Sequence, residues 1–294
     1  MVSSTGEIPT RSVGYAIALM LFAHLLFAVV DTSTKWLIGA GFLALQLAFM
    51  RYFVHFVITL ADSSRPAPAS LALGWRMHAL IALRAFCLVS STVANFIALG
   101  HLSLAVTSAI LFLAPVIVCL ISALFLREQV RPGHWIAIAV GFTGVLIMIR
   151  PFADEVNWYA LLMLYPATGM AFYALLSRHL APKVRTSTLQ LYTGALGSAV
   201  LLPAAILTWQ WPDNTLNWLL FLGIGAIAWA GHQAMTRAHI ITTANVLMPF
   251  GYSFVIYLTL AGWLIFGDRP DAVTIAGSLA IIGSGLAVWR LNRT

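Results

Sequence analysis

Three ionisable side chains lie on one face of the first apolar segment. His24, Asp31 and Lys35 are separated by seven and four residues, which places them within about 40° of one another on an α-helix. A charged side chain at the centre of a bilayer costs about 2.5 kcal/mol or more, so such residues usually face a bundle interior and pair there. The spacing of Asp31 and Lys35 suits an ion pair within the helix. This face predicts a cavity wall that binds a zwitterion or carries a proton. The alternative is structural: Lys35 anchors the outer end of the helix, Asp31 neutralises it and His24 bonds a neighbouring helix.

A second polar face follows the third apolar segment, where Arg84, Cys87, Ser91 and Asn95 recur at helical spacing. Ser91 and Asn95 lie deep enough either to line a cavity or to join helices by hydrogen bonds. Arg84 lies near one end of its segment, where a snorkelling side chain with a structural role is expected. Arg51, near the middle of the second segment, is expected to pair with an acidic residue or with helix carbonyls.

The second half of the chain offers mainly aromatic groups and few charges. Its candidate solute contacts are Tyr165, Tyr173, Trp229, His232, Tyr252 and Trp263. Pro115, Pro166 and Pro249 interrupt apolar segments and predict helix bends, whose freed carbonyls must be buried in protein or face water. A cavity with aromatic walls and a few polar anchors suits a flat, partly apolar solute. Packing against other helices is the alternative for each ring.

Ten apolar segments must position these side chains. The predicted spans are 13–38, 42–60, 78–99, 103–126, 132–149, 158–178, 187–208, 215–237, 240–266 and 271–289. The chain is 61% hydrophobic and 9% charged, whereas soluble domains carry about 25% charged residues. The sequence therefore predicts an all-α polytopic membrane protein with ten transmembrane helices.

The basic residues indicate the orientation of the chain. The net charge is +7, but the Lys and Arg residues are scattered singly between apolar spans, which argues against a nucleic-acid partner. If the N-terminus is cytoplasmic, eleven Lys and Arg residues fall on the inside, and only Lys35, Arg150 and Arg269 fall outside. The positive-inside rule thus predicts that the tail at 1–12 and the C-terminal end at 290–294 are both cytoplasmic.

The run from Ala98 to Arg150 is similar to the run from Ala234 to Arg290. Each begins with Ala and His, continues as a proline-interrupted apolar helix and ends that helix on an acidic residue before a basic residue and a proline. The similarity predicts two five-helix repeats, at 13–150 and 151–289. Because five is odd, the second repeat must be inverted. Secondary transporters with inverted repeats place their site near the bilayer midplane between two halves, which move to alternate access.

In this order, the features resemble those of the drug/metabolite transporter superfamily, in its ten-helix branch built of two five-helix repeats. The matching residues are Asp31, Lys35, Arg51, Arg84, Ala98, Leu99, Pro115, Glu128 and Gly144 in the first unit, and Pro249, Phe250, Tyr252, Gly262, Trp263, Phe266, Gly267, Asp268 and Pro270 in the second. Asp268 stands where the family more usually has Glu. The chain looks most similar to bacterial inner-membrane exporters of aromatic amino acids, a branch that also handles cationic toxic compounds.

The resulting prediction is a secondary transporter, not an enzyme, of the bacterial cytoplasmic (inner) membrane. It would export small amphipathic metabolites, namely aromatic or other apolar amino acids, by alternating access. Lys35 and Asp31 are predicted to engage the charged termini of the solute, and Trp229, Tyr252 or Trp263 its ring. The expected partners are membrane lipid, the solute and a coupling proton. No cofactor or metal ion is expected.

Two alternatives remain open. A transporter of the same fold for phosphorylated metabolites or nucleotide sugars would need several deep Lys or Arg residues to meet phosphate. An intramembrane enzyme would need a catalytic set at mid-span. The sequence has neither an HExxH nor a GxSG pattern, and its eight histidines are dispersed.

Overall fold

The computed structural model describes residues 10–62, 74–125, 132–149, 157–180, 183–242 and 244–291. Within these ranges every regular element is an α-helix. The helices are α1 (Thr10–Gly39), α2 (Ala44–Ala61), α3 (Trp75–Leu99), α4 (Leu104–Leu111), α5 (Ala114–Phe125), α6 (Pro132–Ile149), α7 (Trp158–Leu162), α8 (Leu164–Leu180), α9 (Thr186–Leu207), α10 (Thr215–Ile241), α11 (Ala244–Gly251), α12 (Ser253–Phe266) and α13 (Ala272–Leu291). Some expectations concern residues outside the described ranges: the terminal tails at 1–9 and 292–294, and the resemblance and orientation arguments at Glu128 and Arg150.

The helices account for the ten predicted spans. Nine stretches in the described part of the chain are long and apolar enough to cross a membrane: α1, α2, α3, α4 with α5, α7 with α8, α9, α10, α11 with α12, and α13. The shorter apolar helix α6 supplies the tenth. The predicted all-α polytopic fold is therefore confirmed. Because the number of spans is even, α1 begins and α13 ends on the same side of the bundle.

The main helix contacts join the first half of the chain to the second. Helix α1 packs on α10, α8 packs on α3, α2 packs on α9, and α6 packs on α13. If the two halves are exchanged, the pair α1–α10 becomes the pair α8–α3. Helices α1 and α8 belong to the first span of each half, and α3 and α10 are the third span of each half. The other two pairs map onto themselves. This is the contact pattern of a pseudo-twofold structure whose seam runs through the whole bundle.

Three spans are broken, and each break lies near a proline that the sequence singled out. Pro115 is the second residue of α5, and because proline has no N–H it leaves the carbonyl of Leu111 without its usual helical donor. Pro166 is the third residue of α8, just after the break from α7. Pro249 lies inside α11, close to the break before α12. Non-helical backbone at this depth is tolerated where it is buried or lines a cavity.

Small residues allow the two halves to approach closely. A Cβ atom added at Gly144 on α6 would lie 2.8 Å from the carbonyl oxygen of Gly277 on α13. A Cβ atom added at Gly225 on α10 would lie 2.9 Å from the carbonyl oxygen of Met50 on α2. Small residues at such interfaces are characteristic of helix packing in membranes, where van der Waals contact drives association.

Candidate functional site

A cavity of about 300 Å³ lies between the two halves. We refer to it as the central cavity. Helices α1, α2, α3 and the α4–α5 break contribute from the first half, and α8, α10 and α12 contribute from the second. Its polar lining residues are His24, Asp31, Arg51, Ser91, Thr92, Asn95, Tyr173 and His232, and its aromatic walls include Phe27, Phe112 and Phe254.

Asp31 is the one carboxylate among the described residues that line the central cavity. The side chain is buried, and the Nδ2 atom of Asn95 donates a hydrogen bond to its Oδ2 atom at 3.3 Å. The Oδ1 atom of Asn95 is buried and accepts no hydrogen bond. The Asp31–Asn95 pair therefore places acceptor oxygen atoms in the wall of the central cavity, where a solute with N–H donors would meet them.

Arg51 supplies a positive charge to the same cavity but forms no ion pair with Asp31 within 4.0 Å. Its Nη1 atom donates to the hydroxyl of Thr92, and the hydroxyl of Tyr52 is a more distant acceptor at 3.5 Å. Its Nε atom is buried without an acceptor. The expectation that Arg51 pairs with an acidic residue or with helix carbonyls is therefore wrong, because hydroxyl groups of neighbouring residues are the nearer acceptors.

Aromatic rings form much of the remaining wall. The ring of His24 lies 6.2 to 6.5 Å from the rings of Phe27, Phe112 and Phe254, centroid to centroid. Phe27 also contacts the ring of His232 across the seam, with centroids 4.9 Å apart. The Nδ1 atom of His24 donates to the carbonyl oxygen of Met20 in its own helix at 2.9 Å, and not to a neighbouring helix as the structural alternative supposed.

Lys35 lies outside the central cavity, and the predicted ion pair between Asp31 and Lys35 does not form. The Nζ atom of Lys35 lies 3.6 Å from the Oδ2 atom of Asp268 and donates to the carbonyl oxygen of Leu102 at 2.6 Å. Both partners belong to connections at the end of the bundle where α1 ends. The helical spacing was compatible with the predicted pair, but a carboxylate from the other half of the chain is the partner.

The structure brings together only some of the residues that the sequence proposed. His24, Asp31, Ser91, Asn95, Tyr173, His232, Pro115 and Pro166 line the central cavity, whereas Lys35, Tyr165, Trp229, Tyr252, Trp263 and Pro249 do not. Tyr165 is 47% exposed and Trp263 is 50% exposed on the outer surface of the bundle. Tyr252 is buried behind the wall, with its ring 5.1 Å from that of Phe112.

Sequence reasoning missed several wall residues, among them Phe27, Thr92, Phe112 and Phe254. Phe27 lies three residues after His24 and four before Asp31, so the helical spacing that grouped those two could have found it. Thr92 lies three residues before Asn95 and could have been found in the same way. No comparable polar pattern marks Phe112 or Phe254.

A smaller chamber of about 90 Å³ adjoins the central cavity. We call it the polar chamber. Arg51, Leu88, Tyr173, His232 and Met235 line both spaces. The polar chamber extends to Thr186, the first residue of α9, and so towards the end of the bundle where α1 begins. Sequence analysis predicts that this end is cytoplasmic.

Arg84 forms one wall of the polar chamber and does not snorkel to the membrane surface. The side chain is buried. Its guanidinium donates to the hydroxyls of Ser177 at 2.7 Å, Tyr173 at 2.7 Å and Thr193 at 3.2 Å, and it lies over the ring of Tyr173. Arg84 therefore joins α3 to α8 and α9 across the seam. The surface position that the sequence predicted for this side chain is wrong, because the side chain is buried in these contacts.

The opposite end of the bundle is closed by polar and aromatic contacts between the halves. The contacting pairs are Lys35 with Asp268, Gln46 with Gln210, Trp36 with Asn217, and His101 with Tyr159. The rings of His101 and Tyr159 are nearly parallel, with centroids 3.7 Å apart. Gly267 follows the end of α12 in the left-handed conformation, with φ of 71°, which glycine adopts readily and which turns the chain into Asp268.

Residues 14–150 and 157–289 each match the sequence model of the EamA-like transporter family. The chain belongs to this family. Both halves of this EamA-like protein match, which agrees with the pseudo-twofold contacts of the fold. The predicted membership of the drug/metabolite transporter superfamily is therefore confirmed, and the protein is a multi-pass membrane transporter. Its relatives are bacterial, consistent with a location in the inner membrane.

Curated relatives of this EamA-like chain are named for several different solutes. It is 29% identical over 269 residues to the riboflavin transporter of Vibrio cholerae, covering 90% of this chain and 89% of that one. It is 27% identical over 279 residues to the pseudopaline exporter of Pseudomonas aeruginosa, covering 94% and 96%. It is 23% identical over 268 residues to the S-adenosylmethionine uptake transporter of Rickettsia bellii, covering 88% and 87%. None of these three is named as an aromatic amino acid exporter.

A solved crystal structure shares the fold of this EamA-like protein. It aligns with 95% of this chain and 98% of its own, with a TM-score of 0.64 and 18% sequence identity. At this identity the likeness concerns the arrangement of the helices and not the solute. Neither comparison therefore assigns a substrate to the central cavity.

Proposed function

We propose that the protein is a secondary transporter that moves a small solute with a flat apolar ring and a polar or charged edge through the central cavity. The observation that carries this proposal is the composition of that cavity at the seam between the halves. Phenylalanine rings form apolar walls, and the Asp31–Asn95 pair and Arg51 present opposite charges to the same space. Its volume of about 300 Å³ lies at the lower end of the range for small-molecule sites, about 300–1,000 Å³.

The aromatic walls and the polar groups of the central cavity contact different parts of the solute. Rings such as those of Phe112 and Phe254 contact a planar solute, and each well-oriented aromatic pair contributes about 0.5–1.5 kcal/mol beyond the area buried. Asp31 and the free Oδ1 atom of Asn95 accept hydrogen bonds from the N–H groups of the solute. Arg51 donates to an acceptor or an anionic group on the other edge.

Two solute classes fit these groups. Aromatic or other apolar amino acids are favoured by the presence of a carboxylate and a guanidinium in one cavity, since Asp31 would take the ammonium group and Arg51 the carboxylate. In this arrangement Arg51 replaces Lys35 of the sequence prediction. Flavin-like heteroaromatic compounds are favoured by the riboflavin transporter relative and by the planar walls. Both classes share the ring and the hydrogen-bonding edge.

The two ends of the bundle support alternating access as the mode of transport. One end is closed by contacts between the halves, among them Lys35 with Asp268. Towards the other end lies the polar chamber, which shares five lining residues with the central cavity. The sequence predicts that this end is cytoplasmic, so a solute that enters the site from it comes from the cytoplasm, as the proposed export requires. Asp31, as the carboxylate of the cavity, is the candidate carrier of a coupling proton.

Solute exchange in proteoliposomes tests the proposal. Purified protein is reconstituted, the vesicles are loaded with unlabelled solute, and counterflow of labelled riboflavin, phenylalanine and tryptophan is followed with and without a proton gradient. Labelled alanine serves as the ringless control, and protein-free liposomes give the leak. We expect at least one ring solute to accumulate faster than alanine. Equal rates for ring and ringless solutes would contradict the proposed site.

A further inference from the structure

The polar chamber carries positive charge without a carboxylate to balance it. Its described lining includes Arg51 and Arg84, the imidazoles of His55 and His232, and several hydroxyl groups, but no Asp or Glu. Asp31 lines only the neighbouring central cavity. A buried charge is costly unless it is paired, so an excess of guanidinium charge in an enclosed space favours the entry of an anionic group.

Arg84 is the fixed cation of this chamber. Its hydrogen bonds run to the hydroxyls of Ser177, Tyr173 and Thr193, with the carbonyl of Leu189 at 3.5 Å. All of these acceptors are uncharged. They hold the guanidinium in place and occupy four of its five N–H groups, but they leave its charge uncompensated. Arg84 therefore acts on an anion in the chamber mainly through its electrostatic field.

Arg51 is the cation with donor capacity to spare. It stands where the polar chamber and the central cavity meet, and it lines both. Its hydrogen bonds, to the hydroxyls of Thr92 and Tyr52, use only the Nη1 atom, and its buried Nε atom has no acceptor. The planar fork of a guanidinium matches the geometry of a carboxylate or a phosphate, to which it can donate two parallel hydrogen bonds.

We infer that the polar chamber is a subsite for an anionic group of the solute, a carboxylate or a phosphate, with Arg51 as its direct ligand and Arg84 as the fixed counter-charge. The solute class is then an aromatic acid, whose ring occupies the central cavity. The chamber of about 90 Å³ has room for a few water molecules, and hence for such a group, but not for a second ring system. This inference rests on the proposed function of the central cavity and narrows the solute class.

Binding of matched small aromatic compounds tests the inference without requiring transport. Equilibrium dialysis of the purified protein compares labelled benzoate with labelled benzamide, a neutral compound of nearly the same shape, and phenyl phosphate competes against benzoate. We expect benzoate to bind at least about tenfold more tightly than benzamide, the ratio expected from a charge-assisted hydrogen bond. Competition by phenyl phosphate stronger than that by benzoate itself assigns the subsite to phosphate, and weaker competition assigns it to carboxylate.

Substitution of Arg51 then locates the binding group. Arg51→Gln reduces the preference for benzoate over benzamide to the part that the field of Arg84 supplies, and it leaves benzamide binding unchanged. Arg51→Lys retains more of the preference because the charge remains. The control is Arg76→Gln, which removes an exposed arginine near the start of α3 and keeps the full preference. The comparison of benzoate with benzamide in the unmodified protein stands even if Arg51→Gln fails to fold.

Equal binding of benzoate and benzamide, or binding of neither compound, overturns the anionic subsite, as does a benzoate preference that is undiminished in Arg51→Gln. The outcome is independent of the transport assay. A protein that exchanges ring solutes but shows no benzoate preference keeps the proposed function and loses the subsite. A protein that prefers benzoate but exchanges no ring solute keeps the subsite and loses the proposed function.

Discussion

Lys35 and Asp268 meet across the seam between the two halves, with 3.6 Å between the Nζ and Oδ2 atoms. The two residues are far apart in the sequence, yet their contact closes the end of the bundle opposite the polar chamber. The carbonyl oxygen of Leu102 accepts a hydrogen bond from Lys35, so the end of α1 and two connections converge at this point. Opening of this end in an alternating-access cycle requires the contact to break.

Loss of the lysine charge should favour the open state of this end. The side chains of Lys35 and Asp268 are 18% and 36% exposed, so their ion pair contributes only about 0.2–1 kcal/mol. We expect Lys35→Gln to increase the population of the open state severalfold. The measurement uses a cysteine at Met170, in the wall of the central cavity, in a protein lacking Cys87 and Cys119. The rate at which a membrane-impermeant thiol reagent, added from the outside, alkylates this cysteine reports on the open state.

The control is Lys183→Gln, which removes an exposed lysine between α8 and α9, at the other end of the bundle. It should leave the alkylation rate unchanged. An unchanged rate in Lys35→Gln as well would show that the contact with Asp268 does not hold this end closed.

Asp31→Asn should weaken binding of solutes that carry N–H donors or an ammonium group. The substitution keeps the shape of the side chain but removes the charge that faces the central cavity, so we expect a loss of affinity of about tenfold or more. The measurement is equilibrium binding of phenylalanine or riboflavin to the purified variant. Asp213→Asn, outside the lining of the cavity, is the control, and equal affinities in both variants would remove Asp31 from the site.

A methyl group should be tolerated at Gly283 but not at Gly144. A Cβ atom at Gly144 meets the backbone of α13, whereas a Cβ atom at Gly283 has nothing within 4 Å. Gly144→Ala should therefore lower the free energy of unfolding by about 1–3 kcal/mol through overpacking. Gly283→Ala should leave it unchanged or raise it by about 0.5–1 kcal/mol, because alanine is the better helix former. Thermal unfolding in detergent checks both, and equal stability of the two variants would contradict the close contact between α6 and α13.

Arg84→Lys should destabilise the protein although it preserves the charge. Lysine cannot reproduce the fork that reaches hydroxyl groups on α8 and α9 together. We expect the free energy of unfolding to fall by about 1–3 kcal/mol, the cost of leaving buried polar groups without partners. The midpoint of thermal unfolding measures this, with Arg76→Lys as the exposed control. A variant as stable as the control would show that the hydrogen bonds of Arg84 do not stabilise the packing of α3 on α8 and α9.

The sequence was sufficient for the spans and for part of the site. Hydropathy located the apolar segments, and helical spacing grouped His24 with Asp31 and Ser91 with Asn95, because both signals are local. The sequence could not identify the partner of Lys35, since the choice between Asp31 in the same helix and Asp268 in the other half depends on packing. For the same reason it favoured Trp263, which lies on the outer surface, over Phe254 in the cavity wall.

Protection of a single cysteine by the solute tests the central claim most directly. Cysteines are placed in turn at Met170, in the wall of the central cavity, and at Trp263, on the outer surface, in a protein lacking Cys87 and Cys119. The alkylation rate of each is measured with and without a saturating concentration of a transported ring solute. We predict that the solute slows alkylation at position 170 severalfold and leaves position 263 unaffected. Protection at 263 alone, or at neither position, would contradict a solute site between the two halves.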